Sequence, residues 1–76
     1  MDTELVLKVI LKKHFNIEPE RVTRETKVEE DLGLDAVEQS ELQELLETEL
    51  RITFSPYECD NMATIGDYLF AIERQQ

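Results

Sequence analysis

Apolar residues recur at helical intervals in some stretches of the chain and lose that rhythm in others. Leu7, Ile10, Leu11 and Phe15 share one face while Glu4, Lys8, Lys12 and Lys13 take other positions. This spacing predicts an amphipathic helix from about Thr3 to Phe15, with Asp2 or Thr3 as its cap. From Asn16 to Leu34 the period lapses. Glu18-Pro19 disfavours helix at its first residue, and Ile17, Val22, Val28 and Leu32 stand singly among polar residues. The expectation is a long ordered loop that these four side chains pin across helix ends.

Helical periodicity resumes with a strong local signal. Gly33 permits a turn, Asp35 is placed to accept the first free N–H groups, and Glu38 three residues on completes a capping-box pattern, which makes Ala36 the first helical residue. At 100° per residue Leu42, Leu46 and Leu50 cluster on one side with Leu45 at the margin. Ala36, Val37, Ser40, Glu41, Glu44, Glu47 and Thr48 spread over the other side. Arg51 to Phe54 is β-branched and aromatic but has no partner strand elsewhere, so it reads as a connection. Ser55-Pro56-Tyr57-Glu58 gives a cap, a proline at the first helical position and an acid at the third, predicting a short helix to about Asn61 with Cys59 and Met62 facing in. Thr64-Ile65-Gly66-Asp67 resembles another helix start, and Ile65, Leu69 and Ile72, with Tyr68 and Phe70 nearby, form a last amphipathic helix that ends before Gln75. Three main helices and one short one are expected, in a single domain over residues 1–76.

Charge sharpens this picture. The chain has 18 Asp plus Glu against 8 Lys plus Arg, a formal net charge of −10. Half of the acids, Glu29, Glu30, Asp31, Asp35, Glu38, Glu41, Glu44, Glu47 and Glu49, fall in one window that contains no Lys or Arg. Such a balance opposes nucleic-acid binding, which needs basic side chains against phosphate, and favours a basic protein partner. Like charges at Glu38/Glu41, Glu41/Glu44 and Glu44/Glu47 each cost a few tenths of a kcal/mol in an isolated helix, so their retention invites a functional reason. No apolar run approaches the roughly 20 residues of a membrane span, and the charged start is unlike a signal peptide, so a monomeric cytoplasmic protein is expected. One Cys59 and one His14 cannot assemble a zinc set or an internal disulfide. Cys59 reads as a small core residue and His14 as an exposed residue at a helix end.

At Asp31-Leu32-Gly33-Leu34-Asp35-Ala36-Val37-Glu38 the chain resembles the acyl carrier protein family, whose members show D-L-G-x-D-S-L before an acidic second helix. Phe15-Asn16-Ile17, Val22-Thr23, Val28-Glu29-Glu30-Asp31-Leu32 and Ala63-Thr64-Ile65-Gly66-Asp67-Tyr68 continue the resemblance over nearly the whole length. It implies an all-α four-helix bundle, not an enzyme, that carries acyl chains as thioesters on a 4′-phosphopantetheine arm in fatty-acid, polyketide or related biosynthesis. It further implies an acyl pocket or core drawn from Leu7, Leu11, Phe15, Val28, Leu42, Leu46, Phe54, Met62, Tyr68, Leu69 and Ile72. The implied partners are basic patches of acyl-chain synthases, acyltransferases and phosphopantetheinyl transferase. They would meet Asp35, Val37, Glu38, Ser40, Glu41, Glu44, Glu47 and Thr48.

The family's attachment serine aligns with Ala36. A methyl group offers no hydroxyl for a phosphodiester, so no arm is possible at Ala36 as written. Three readings stand: a serine-to-alanine form locked without its arm, a natural docking module that never carries acyl groups, and relocation of the arm to Ser40. Ser40 lies a turn into the helix, outside the D-S-L setting, and its plain reading is a solvated serine. Tyr68 stands where carriers often have a small residue, so its ring could shorten or fill the pocket; otherwise it is a core aromatic with its hydroxyl at the surface. Asp31-x-Gly33-x-Asp35 fails as a calcium loop, because its glycine is misplaced and Leu42 stands where a glutamate is needed. An enzyme reading fails for want of a glycine-rich phosphate loop or a catalytic cluster.

Overall fold

A computed structural model describes residues 2–76. Four α-helices, α1 (Thr3–Phe15), α2 (Ala36–Leu50), α3 (Pro56–Asn61) and α4 (Ile65–Glu73), pack around one apolar centre. The helix starts follow their local chemistry. Asp2 caps α1, and Asp35, Ser55 and Thr64 each form a capping box with the acid three residues on. Asn16 and Arg51 close α1 and α2 in the left-handed conformation, each turning its N–H back to the last turn. Leu7, Leu11, Leu42, Leu46, Tyr68, Leu69 and Ile72 are fully enclosed, with Val28, Phe54 and Met62 buried beside them. Phe15 is only partly buried, against the edge of this core.

The long loop is ordered by the apolar residues named above and by backbone pairing. Ile17, Val22, Val28 and Leu32 are all buried. One 3-10 turn, Pro19–Arg21, was not anticipated. Nor was the clamp formed by the start of α4. Val28 N–H donates to Ala63 O at 2.9 Å, Ile65 N–H to Thr26 O at 2.9 Å and Gly66 N–H to Arg24 O at 2.8 Å, around a Lys27–Thr64 bridge. Gly66 suits this closeness, since a Cβ there would sit 3.0 Å from Arg24 O and the backbone would have to give by a few tenths of an ångström. The clamp leads the chain into the tight turns from Val28 to Leu34, where the Asp31 carboxylate accepts from Lys27 N–H at 2.8 Å and Gly33 takes a φ of 72°. Gly33→Ala should cost about 1 kcal/mol by forcing a side chain into that region. Urea unfolding of the variant checks this.

One exposed ion pair ties the short helix down. Arg74 holds Glu58 through two bonds of 2.6 Å, and this pairing, with the Ser55 N–H, lowers the Glu58 carboxyl to about 2. A depressed carboxyl pKa stabilises the fold above its unfolded value and loses that contribution as pH falls toward 2. Thermal melts between pH 5 and pH 2 should show a steeper loss for the parent than for Glu58→Gln, whose melting temperature lacks this component of the acid slope.

Candidate functional site

The start of α2 is the centre of the candidate site. The turns from Val28 to Leu34 deliver Asp35, whose Oδ1 accepts from Glu38 N–H at 2.8 Å while Asp35 N–H donates to Glu38 Oε1 at 3.1 Å. This box fixes the first turn and leaves Ala36 exposed at its head. Beside it Val37 is 68% exposed, an apolar side chain held in solvent. Free N–H groups and the helix dipole make such a position favourable for an attached phosphate. Ala36 nevertheless presents a methyl group, and this residue does not fit a phosphodiester arm.

Along the outer face of α2, Ser40, Glu41, Glu44 and Thr48 are exposed, and Asp35 and Glu38 stand at its head. A shallow groove of about 370 Å³ runs between the end of α1 and this face, with His14, Glu41, Glu44 and Thr48 along it. Glu47 departs from the expected role of a free docking charge. It is half-buried, and its Oε2 accepts from Phe54 N–H at 2.9 Å, holding the α2–α3 connection. The sequence wheel places Glu47 outward, but the chain turns back over it at Arg51 and brings a donor within reach.

A cleft of about 590 Å³ opens beside position 36, between the first two turns of α2, the loop at Glu29 and Glu30, and α3. Its inner end is polar. Gln43, 9% exposed, donates from Nε2 to Cys59 O and to the Tyr68 hydroxyl, both at 3.3 Å, and so joins α2 to α3 and α4. Gln43 was not singled out by sequence reasoning. The available signal was that Gln39 and Gln43, four residues apart, interrupt a run of glutamates.

Two expectations about this cleft are corrected. The Tyr68 hydroxyl is not at the surface: the whole residue is 0% exposed, and its ring meets Phe54 edge-on with centroids 6.1 Å apart. Burial pushes the phenol pKa up, with the Gln43 bond opposing it. Cys59 is not a core residue but lies exposed along the cleft. In a helix of six residues, periodicity has too few positions to choose a face. Partial burial, then the carboxylates of Glu47, Asp60 and Glu58, push its thiol up and keep it protonated and sluggish as a nucleophile.

Among the described residues no cluster of His, Cys, Asp or Glu could hold a metal, and no helix is long and apolar enough to cross a membrane. No protein-family model matches the chain. Curated proteins do, among them two acyl carrier proteins. An acyl carrier protein of Wolinella succinogenes is 36% identical over 67 residues, covering 88% of each chain. An acyl carrier protein of Sulfurovum sp. is 31% identical over 67 residues, covering 88% of this chain and 89% of its own. With four helices, a capped acidic second helix and these relatives, the chain belongs to the acyl carrier protein family.

Proposed function

We propose that this chain is a carrier domain of acyl-chain biosynthesis, in a fatty-acid, polyketide or related pathway, locked without its arm by alanine at position 36. Its face of Asp35, Val37, Glu38, Ser40, Glu41, Glu44 and Thr48 docks on basic patches of synthases, acyltransferases and phosphopantetheinyl transferase. A serine-bearing parent would carry 4′-phosphopantetheine there. The observation behind this reading is that the setting of the attachment position is whole: the box between Asp35 and Glu38 is closed and the residue it presents is exposed. Only the hydroxyl is missing.

The same observation admits a second reading, a docking module that never carries cargo, because an intact face serves either role. Incubation with coenzyme A and a broad-range phosphopantetheinyl transferase, followed by intact mass, tests the proposal. The alanine-bearing chain should stay unmodified and Ala36→Ser should gain one phosphopantetheine. A gain on the alanine-bearing chain mapped to Ser40 would overturn the lock, and an unmodified, folded Ala36→Ser would favour the docking module.

A further inference from the structure

A second groove, of about 520 Å³, runs between α3 and α4, apart from the outer face of α2. Tyr57 lines it from α3 and Phe70 from α4, 75% and 69% exposed, the two most exposed large apolar side chains among the described residues. Met62 and Ala71, both buried, lie at its base. Single surface apolar residues need no explanation, but two rings on one groove with buried apolar residues between them form a patch that can anchor a partner. The core does not require Phe70, since Ile65, Tyr68, Leu69, Ala71 and Ile72 already fill the inward side of α4. Asp67, Phe70 and Arg74 follow one another at intervals of about one turn along the outside of that helix. Arg74 is neutralised by Glu58 through two bonds of 2.6 Å. Asp67 takes no part in the ion pairs among the described residues. The N–H groups of Thr64 and Ala63, donating to its Oδ2 at 3.0 and 2.8 Å, hold its carboxyl below the usual carboxylate range, so the groove keeps one uncompensated negative charge beside its rings.

We propose that this groove docks a basic amphipathic helix of a partner protein, which sets an apolar side chain between Tyr57 and Phe70 and a lysine or arginine about one turn away, against Asp67. Charge selects this occupant. At a net charge of −10 the molecule repels a second copy of itself, a nucleic acid and an anionic membrane, and attracts a cationic segment. That segment meets a carboxylate beside aromatic faces, which themselves favour a cation. The rings supply the affinity: exposed aromatic side chains are the common anchors of interfaces, whereas charge at the rim acts mainly on encounter. An apolar helix face laid into a groove is a recurring mode of recognition that uses such anchors. The groove is formed by α3 and α4, so the inference stands whether or not the α2 face meets an enzyme.

The probe is a short synthetic amphipathic helix of leucine and lysine. A peptide of lysine and serine with the same charge, and one of glutamate and leucine with the same apolar content, serve as comparisons, each titrated into the whole chain and followed by the protein's backbone amide resonances. The leucine and lysine peptide should shift the amides of Tyr57, Asp67 and Phe70. Phe70→Ser, whose ring is exposed and whose melting temperature should be unchanged, should weaken its binding about tenfold, the loss of one interface anchor. Tyr57→Ser gives the same reading from the other side of the groove should Phe70→Ser fail to fold. The lysine and serine peptide should bind at least about tenfold more weakly and shift only α2, and the glutamate and leucine peptide should leave the groove unshifted. Four outcomes would overturn the proposal: a folded Phe70→Ser or Tyr57→Ser that binds the leucine and lysine peptide as tightly as before; shifts confined to α2; equal binding of either comparison peptide; or shifts at Tyr57 and Phe70 on raising the protein's own concentration with no peptide present, which would make a second copy the occupant.

Discussion

Tyr68→Ala is expected to lose about 3–5 kcal/mol, the usual cost of removing a fully buried aromatic ring and leaving a cavity. The ring is enclosed on all sides, packs edge-on against Phe54 and carries the hydroxyl that Gln43 reaches from α2. Domains of this size commonly have about 4–11 kcal/mol to lose, so the variant should be largely unfolded in mild denaturant and partly unfolded in buffer. Tyr68→Phe separates ring from hydroxyl. It should cost about 1 kcal/mol, because Gln43 keeps Cys59 O and loses only its second acceptor. Urea unfolding followed by circular dichroism measures both, with unchanged m-values as the sign that the unfolded state is not the cause. A Tyr68→Ala variant within 1 kcal/mol of the parent would mean that the core closes without this ring. In that event the interior beside α2 would be open to an apolar chain.

The contrast between what the sequence reveals here and what it conceals follows contact range. Helix starts depend on residues three apart, which is why Asp35 with Glu38, Ser55 with Glu58 and Thr64 with Asp67 could be read directly and are all closed boxes in the fold. The inward stripes of α1 and α4 were legible for the same reason, since periodicity needs only the helix itself. The clamp between Lys27 and Thr64 joins residues far apart in sequence through backbone atoms, and side-chain identity carries almost no trace of it. Glu47 shows the same limit at the site: the wheel is right about the helix and silent about the Phe54 N–H that folds back onto it. Gln43 was hidden differently. A polar residue on the inner side of a leucine-rich helix reads as an imperfection of the stripe until its partners, Cys59 O and the Tyr68 hydroxyl, are seen together.

Those long-range contacts decide which charges can report on docking. Glu41→Lys with Glu44→Lys should slow association with a cognate basic enzyme by about tenfold at low salt, the lower end of what electrostatic steering contributes. Both carboxylates are exposed on the outer face of α2. Their reversal also relieves like-charge repulsion along the helix, so circular dichroism should show helicity retained. The rate difference should shrink as salt rises and the Debye length contracts to about 8 Å, because exposed rim charges act mainly on encounter. Glu47→Lys is the informative control. It removes the acceptor of Phe54 N–H, so it should lower stability by about 1 kcal/mol and confuse a kinetic reading with partial unfolding. Stopped-flow association at two salt concentrations, beside urea unfolding of each variant, distinguishes the two effects. An unchanged low-salt rate for the folded Glu41→Lys, Glu44→Lys variant would move the docking surface off α2 and leave its acids as solubilising charge.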